Sequence, residues 1–293
     1  MSNIREILES TQSPEELFIA PVKWKYLVRA IKKGKNLMLL GPSGTGKSFA
    51  IGSAAKALGH NVEKFNMGQS QDPQSFLCGT LHLVDKQTKY VPSRFAEAIQ
   101  VPNNVIMLDE ITRKHPDAGN ILMTILDEDQ KYMTLDNHPD RPVIKVAEGV
   151  SFIATGNVGS QYTSTRKMDK ALYDRFEVME MDLLTDEKEA DLIVQREAVE
   201  KHIATAIAQF MGKMREYAAD PADVINNVLG HRISLRMANL HNDGFSLMEA
   251  CEVAVFPMFS EEGAEHSERY KVSQLAQTIF GAIDGDGAAA MQW

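Results

Sequence analysis

The sequence predicts an α/β fold: a parallel sheet built around a phosphate-binding loop, followed by an all-helical C-terminal domain. Three observations carry the prediction. The stretch Gly41-Pro42-Ser43-Gly44-Thr45-Gly46-Lys47-Ser48 reads G-x-x-x-x-G-K-S between an apolar run, Asn36–Leu40, and a helical one, Phe49–Leu58. Some sixty residues later Val105-Ile106-Met107-Leu108 runs into Asp109-Glu110, the pattern of a buried parallel strand ending in acids. After Leu184 the apolar spacing becomes helical and stays so: Val199, Ile203, Ile207, Phe210, Met211 and Met214 share one face.

Taken in order, Ile4–Leu8 and Pro14–Leu17 read as short helices and Val22–Ile31 as an amphipathic one stopped by Gly34. The loop unit follows, with a second strand at Asn61–Asn66. Thr80–Val84 and Lys89–Val91 flank a four-residue turn, Asp85–Thr88, which predicts a β-hairpin over Gly79–Tyr90. Pro92–Gln100 resumes a helix, Val105–Glu110 is the acid-ended strand, and Asp117–Glu128 is a helix whose Leu122, Ile125 and Leu126 face the core. Lys131–Leu135 and Pro142–Val146 predict a second hairpin with a charged tip. Val150–Thr155 is another buried strand, closed by Gly156-Asn157; a short helix from Lys167 to Arg175 leads into a last strand, Phe176–Met181. Helices are then expected over Thr185–Tyr217, from an N-cap at Ser234, over Leu247–Phe259 and over Tyr270–Ile283, with a loop and short helix at Pro221–His231. The domains are thus 1–184, α/β with two inserted hairpins, and 185–283, helical, before a disordered Gly/Ala-rich tail, 284–293.

Composition narrows the function classes. The 293 residues are 44% hydrophobic and 24% charged, a globular balance sufficient for one large core or two smaller ones. No apolar run approaches a membrane span, and Met1–Ser10, with Arg5, Glu6 and Glu9 and no continuous apolar core, is not expected to be a signal peptide. Cys78 and Cys251 lack metal-site spacing and are expected as free thiols in a reducing cytosol. A net charge of −9 argues against a surface built wholly for nucleic acid.

The chemistry follows from residue types. Gly44 and Gly46 let the loop backbone approach a phosphate, and its N–H groups and the helix N-terminus point at the anion. The expected nucleotide contacts run from Gly41, Pro42, Ser43, Gly44, Thr45 and Gly46 through Lys47 and Ser48 to Phe49. Lys47 reaches the β- and γ-phosphates, and the Ser48 hydroxyl with Asp109 behind it holds Mg²⁺. Glu110 is the candidate general base for the attacking water. The Asn157 amide suits a γ-phosphate or that water, because it adds no charge. Arg175, at a helix–strand junction, is placed to project towards a neighbour.

In that order (loop motif, inserted hairpin, Asp-Glu strand, second hairpin, Asn-bearing strand, Asp174-Arg175-Phe176, helical region) the chain resembles the AAA+ ATPases over about residues 20–280, and within them the MoxR-like group. The run Ala154–Gly159 with Tyr162, Met168-Asp169 and Ala171–Phe176 is most similar to the ATPase subunit of aerobic cobaltochelatases. Thr112 and Leu235 depart from that group, many of whose members have Asn and Pro there. The resemblance implies an AAA+ core with a helical lid, ATP and Mg²⁺ as ligands, Asn157 as sensor 1, Arg175 as an arginine finger and Arg236 as sensor 2. It also implies a homo-oligomer, a hexameric ring, and a partner carrying a von Willebrand factor A domain. The function expected is an ATP-driven remodeller of a partner protein. The alternatives are a DNA-directed motor, a nucleotide-binding switch or scaffold without turnover, and a small-molecule kinase. Basic Lys86, Lys89 and Arg141 at the hairpins would favour the DNA motor, but Asp85, Asp136 and Asp140 dilute them.

Overall fold

The computed structural model describes residues 4–69, 71–84, 86–157, 169–220, 222–281 and 283. Tyr162, Met168, Asp85 and the tail 284–293 lie outside the described residues. The chain divides into two compact units, one of Met1–Gly41 with Gly46–Met181, the other of Pro42–Thr45 with Asp182–Trp293.

In the first unit, α1 (Ile4–Ser10) and α2 (Pro21–Lys32) lead into β1 (Leu37–Leu40), α3 (Lys47–Ala57), β2 (Val62–Asn66) and α4 (Pro73–Leu77). A hairpin of β3 (Gly79–Val84) and β4 (Gln87–Pro92) precedes α5 (Arg94–Ala98), β5 (Val105–Asp109) and α6 (Pro116–Leu126). The hairpin β6 (Tyr132–Thr134) with β7 (Val143–Lys145) follows, then β8 (Ser151–Gly156), α7 (Lys170–Tyr173) and β9 (Glu177–Glu180). The main sheet has the order β2-β5-β8-β1-β9, and all its pairings are parallel.

Parallel strands covered on both faces read as unbroken apolar runs, and alternate residues sort them between two cores. Leu37, Leu39, Val105, Met107 and Ile153 pack with Leu27 and Ile31 of α2 and Ile51 of α3. Met38, Ile106, Leu108, Phe152 and Ala154 pack on the opposite face with Phe95, Leu122 and Ile125. There Phe65 meets Phe95 edge-on, with ring centroids 5.2 Å apart.

Local differences from the sequence reading have local causes. Pro14–Leu17 makes only a single turn, closed by Leu17 N–H to the Pro14 carbonyl (3.0 Å). The first hairpin is tighter than expected: pairing continues to Val84↔Gln87, and Lys86 adopts φ 63°, the left-handed conformation a two-residue hairpin loop demands.

The second unit contains α8 (Asp186–Glu197), α9 (Lys201–Ala219), α10 (His231–Asn242), α11 (Leu247–Ala254) and α12 (Glu268–Phe280). Its core joins Ile193 of α8 to Ile203, Ile207, Phe210 and Met214 of α9, with Phe210 tilted against Phe280 at 5.0 Å. The single helix expected over Thr185–Tyr217 is two, because Ala198 takes φ 55° and turns the chain so that both apolar faces enter one core. Among the described residues of Pro221–His231 no helix forms before His231. Ser234 is not the N-cap of α10: the helix begins at His231, Gly230 holds the cap position, and the Ser234 hydroxyl donates back to the His231 carbonyl (2.8 Å). A true capping box opens α11, where Ser246 Oγ accepts from Glu249 N–H (3.1 Å) and Glu249 Oε2 accepts from Ser246 N–H (2.8 Å). Ser246→Ala is therefore expected to cost about 1 kcal/mol, read as a midpoint lower by a few degrees in thermal melts followed by circular dichroism; an unchanged midpoint would show that the box carries no stability.

Candidate nucleotide site

β1 delivers the chain to the loop with Leu37, Met38 and Leu39 fully buried. Gly41 follows, and a Cβ there would lie 2.2 Å from the Met181 carbonyl oxygen, so no larger residue fits. Gly46, at φ 81°, caps α3 in the left-handed region that glycine occupies without strain. Lys47 opens α3, is only 7% exposed, and folds its ammonium back onto the Gly41 carbonyl (3.0 Å). The Thr45 hydroxyl donates to the Pro42 carbonyl (3.0 Å), tightening the loop on itself. Ser48 is half-buried in the first turn of α3, whereas Phe49 is exposed.

The sheet order brings Asp109, Glu110 and Asn157 to that same edge. β8 lies between β1 and β5, and its pairing with each is parallel, so all three strands release their chains on one side. That is the edge where open α/β sheets bind their ligands. Gly41 N–H donates to the Gly156 carbonyl (3.2 Å), which sets the loop beside the end of β8. Asn157 follows directly and is half-buried. Asp109 ends β5, and Glu110 comes next at φ 54°, ψ 41°. A non-glycine residue held there is strained, as functional residues often are.

Each acid has its own partners. The Thr155 hydroxyl donates to Asp109 Oδ1 and accepts from Glu110 N–H (3.2 Å). Lys64 Nζ stands 2.6 Å from Asp109 Oδ2. Burial by itself would raise the Asp109 carboxyl, but hydrogen bonds from Lys64 and Thr155 and the Lys64 charge hold it below its ordinary pKa. Glu110 Oε2 lies 3.5 Å from Arg113 NH1. Lys64, Thr155 and Arg113 were missed by the motif reading. Their only signals were a lysine inside the strand run Val62–Asn66, a threonine two places before Asn157, and an arginine one helical turn after Glu110.

Arg175 is elsewhere. It precedes β9, whose first residue hydrogen-bonds to Asn36 at the start of β1, which puts it at the opposite edge of the sheet from the loop. Its guanidinium is turned inward: Nε donates to the Met123 carbonyl (3.0 Å), NH1 to the Ala171 carbonyl (2.6 Å) and NH2 to Asp127 Oδ2 (3.2 Å). Arg236 is exposed on α10 of the second unit. Among the described residues no group of three or more His, Cys, Asp or Glu side chains could hold a metal ion, and no helix is long and apolar enough to cross a membrane.

Residues 36–176 match the family described as AAA domain (dynein-related subfamily). The chain is similar to the "putative chaperone BssE" of Thauera aromatica, 33% identical over 219 residues that cover 73% of this chain and 72% of that protein. It is also similar to the mitochondrial Lon protease homolog 1 of Dictyostelium discoideum, 28% identical over 57% of this chain, although the match spans only 17% of that protein. Among solved structures, a mutant RuvB of Thermotoga maritima superposes with a TM-score of 0.53 over 93% of this chain and 75% of that one; at 15% identity this bears on the fold alone.

Proposed function

We propose, from the premise that this chain belongs to the AAA+ family of ATPases, that it hydrolyses ATP at sites shared between subunits of a ring and uses the cycle to remodel or activate a partner protein. The observation that carries this reading is the split of the candidates between two sheet edges. Lys47, Ser48, Asp109, Glu110 and Asn157 gather at one edge, while Arg175 lies at the other. One subunit thus offers a loop with its acids on one side and an arginine on the other, which suits head-to-tail rings.

In this reading the Gly41–Gly46 backbone and Lys47 bind the phosphates, and Glu110 takes the proton of the attacking water. Asn157 orients that water, Arg236 senses nucleotide from the helical unit, and Arg175 of a neighbouring subunit meets the charge that develops on the transferring phosphoryl group. Ser48 and Asp109 are hard oxygen donors of the kind Mg²⁺ takes alongside phosphates. Mg²⁺, when bound, neutralises charge on the β- and γ-phosphates. To act in trans, Arg175 must leave Asp127, so assembly and release of that ion pair are linked. A protein substrate is favoured by the chaperone description of the Thauera relative. A cytosolic setting and a von Willebrand factor A domain partner, as in the MoxR-like and cobaltochelatase group, complete the proposal.

The test is solution mass with and without a slowly hydrolysed ATP analogue, together with specific ATPase activity against protein concentration. A ring formed with the analogue and specific activity that rises with concentration are expected. A monomer whose specific activity is flat would overturn the shared site.

A further inference from the structure

Asp109 is engaged on both oxygens by groups of its own chain, Thr155 on Oδ1 and the Lys64 ammonium 2.6 Å from Oδ2. The two partners differ in kind. Thr155 is a neutral hydroxyl, 3% exposed, fixed in the central strand β8. Lys64 is a cation on β2, the outermost strand beside β5, and its side chain remains 53% exposed. Its position follows from register: Asn66 is the strand partner of Asp109, and Lys64 stands two residues earlier on the same face. A flexible four-carbon stem spans that diagonal and leaves the ammonium free to withdraw into solvent.

We infer that Lys64 is a built-in counter-ion that stands in for the divalent cation at Asp109 and competes with it for that carboxylate. The inference rests on the reading of Asp109 as the metal-side acid. While no divalent ion is present, Lys64 neutralises Asp109 next to the second acid of the pair, Glu110. An incoming dication meets a carboxylate whose charge is already matched, and cation–cation repulsion must first drive Lys64 back. The free ion is therefore held weakly, whereas an ion arriving with nucleotide phosphates brings enough negative charge to displace the lysine. Lys64 is thus a positioning residue that makes the site prefer the metal–nucleotide complex to the bare metal.

The experiment uses the full chain and a fluorescent ATP analogue, titrated with Mg²⁺ and, separately, measured in EDTA. K64Q is expected to lower the half-saturating Mg²⁺ by about threefold to tenfold, as for removal of one like charge near a protein surface. Analogue affinity in EDTA should fall in K64Q, because Asp109 then faces the phosphates uncompensated, whereas K64R, which keeps the charge, should retain the original Mg²⁺ requirement and affinity in EDTA. K64Q should also lower the melting midpoint without metal and regain it when Mg²⁺ is added. A half-saturating Mg²⁺ unchanged or raised in K64Q, in a protein that still binds the analogue, would overturn the inference and leave the ATPase reading intact. If the unmodified chain fails to bind the analogue at any Mg²⁺ concentration, the ATPase reading falls and the inference falls with it.

Discussion

Glu110→Gln is expected to leave ATP binding intact while cutting turnover by at least about a hundredfold, the usual weight of a positioned general base. Gln keeps the length and most of the volume of Glu, and it can occupy the same left-handed backbone, φ 54°, at the same cost. The backbone N–H of residue 110 still reaches the Thr155 hydroxyl, so Asp109 and the end of β5 stay in place. On the proposed reading, what disappears is the acceptor for the proton of water; the ion pair to Arg113 goes with it. An amide has no usable basicity near neutral pH. Phosphate release and analogue binding measured on one preparation separate the outcomes: unchanged turnover would show that Glu110 is not the base, and lost binding would show that it acts through the fold.

The second large effect lies in the helical unit. Glu189 on α8 is fully buried, with Arg215 NH2 3.0 Å from one carboxylate oxygen, NH1 against the other, and His231 Nδ1 also 3.0 Å away. The Leu184 N–H donates to His231 Nε2 (3.1 Å), which leaves the ring proton on Nδ1, aimed at Glu189. Arg215 Nε completes the set with the Leu229 carbonyl (3.2 Å). Glu189→Gln removes the buried carboxylate that both arms of the Arg215 guanidinium contact, and that side chain is only 12% exposed. A loss of about 3–5 kcal/mol is expected, as when one partner of a buried pair is taken away.

A pH signature accompanies it. Burial opposes ionisation of Glu189, but His231 and Arg215 overcome it and bring the carboxyl from 4.5 to about 2. A depressed folded pKa adds stability above the unfolded value and loses it as pH falls through the folded one. The contribution, about 3 kcal/mol at most, is complete above pH 4.5 and drains away towards pH 2. Urea unfolding followed by circular dichroism should show that decline in the unmodified chain and a flatter profile in E189Q. Identical profiles would mean the network carries no net stability.

The fold was legible because its signals are local. A run such as Val105–Leu108, apolar at every position, needs cover on both faces, and the loop motif and helical spacing after Leu184 placed the rest. Signals failed where tertiary contacts override propensity. Ser234 has the chemistry of an N-cap, yet His231, fixed by Glu189 and Leu184, draws the helix start one turn earlier. Ala198 carries no turn signature and still turns the chain, because two helix faces must reach one core. At the candidate site the motif residues were legible individually, since spacing alone singles them out. Lys64 and Thr155 were not, because they meet Asp109 only through strand register, a pairing between residues far apart in sequence.

That register also sets a dimension. β8 is hydrogen-bonded to β1 on one side and β5 on the other. Neighbouring strands stand about 4.8 Å apart, so the two outer backbones are separated by about 10 Å. The interval between Gly41 at the end of β1 and the acids at the end of β5 is therefore ruled by the number of strands, as a spacer plate fixes the opening of a vice, and substitution of side chains along either jaw changes what lines the interval without altering its width.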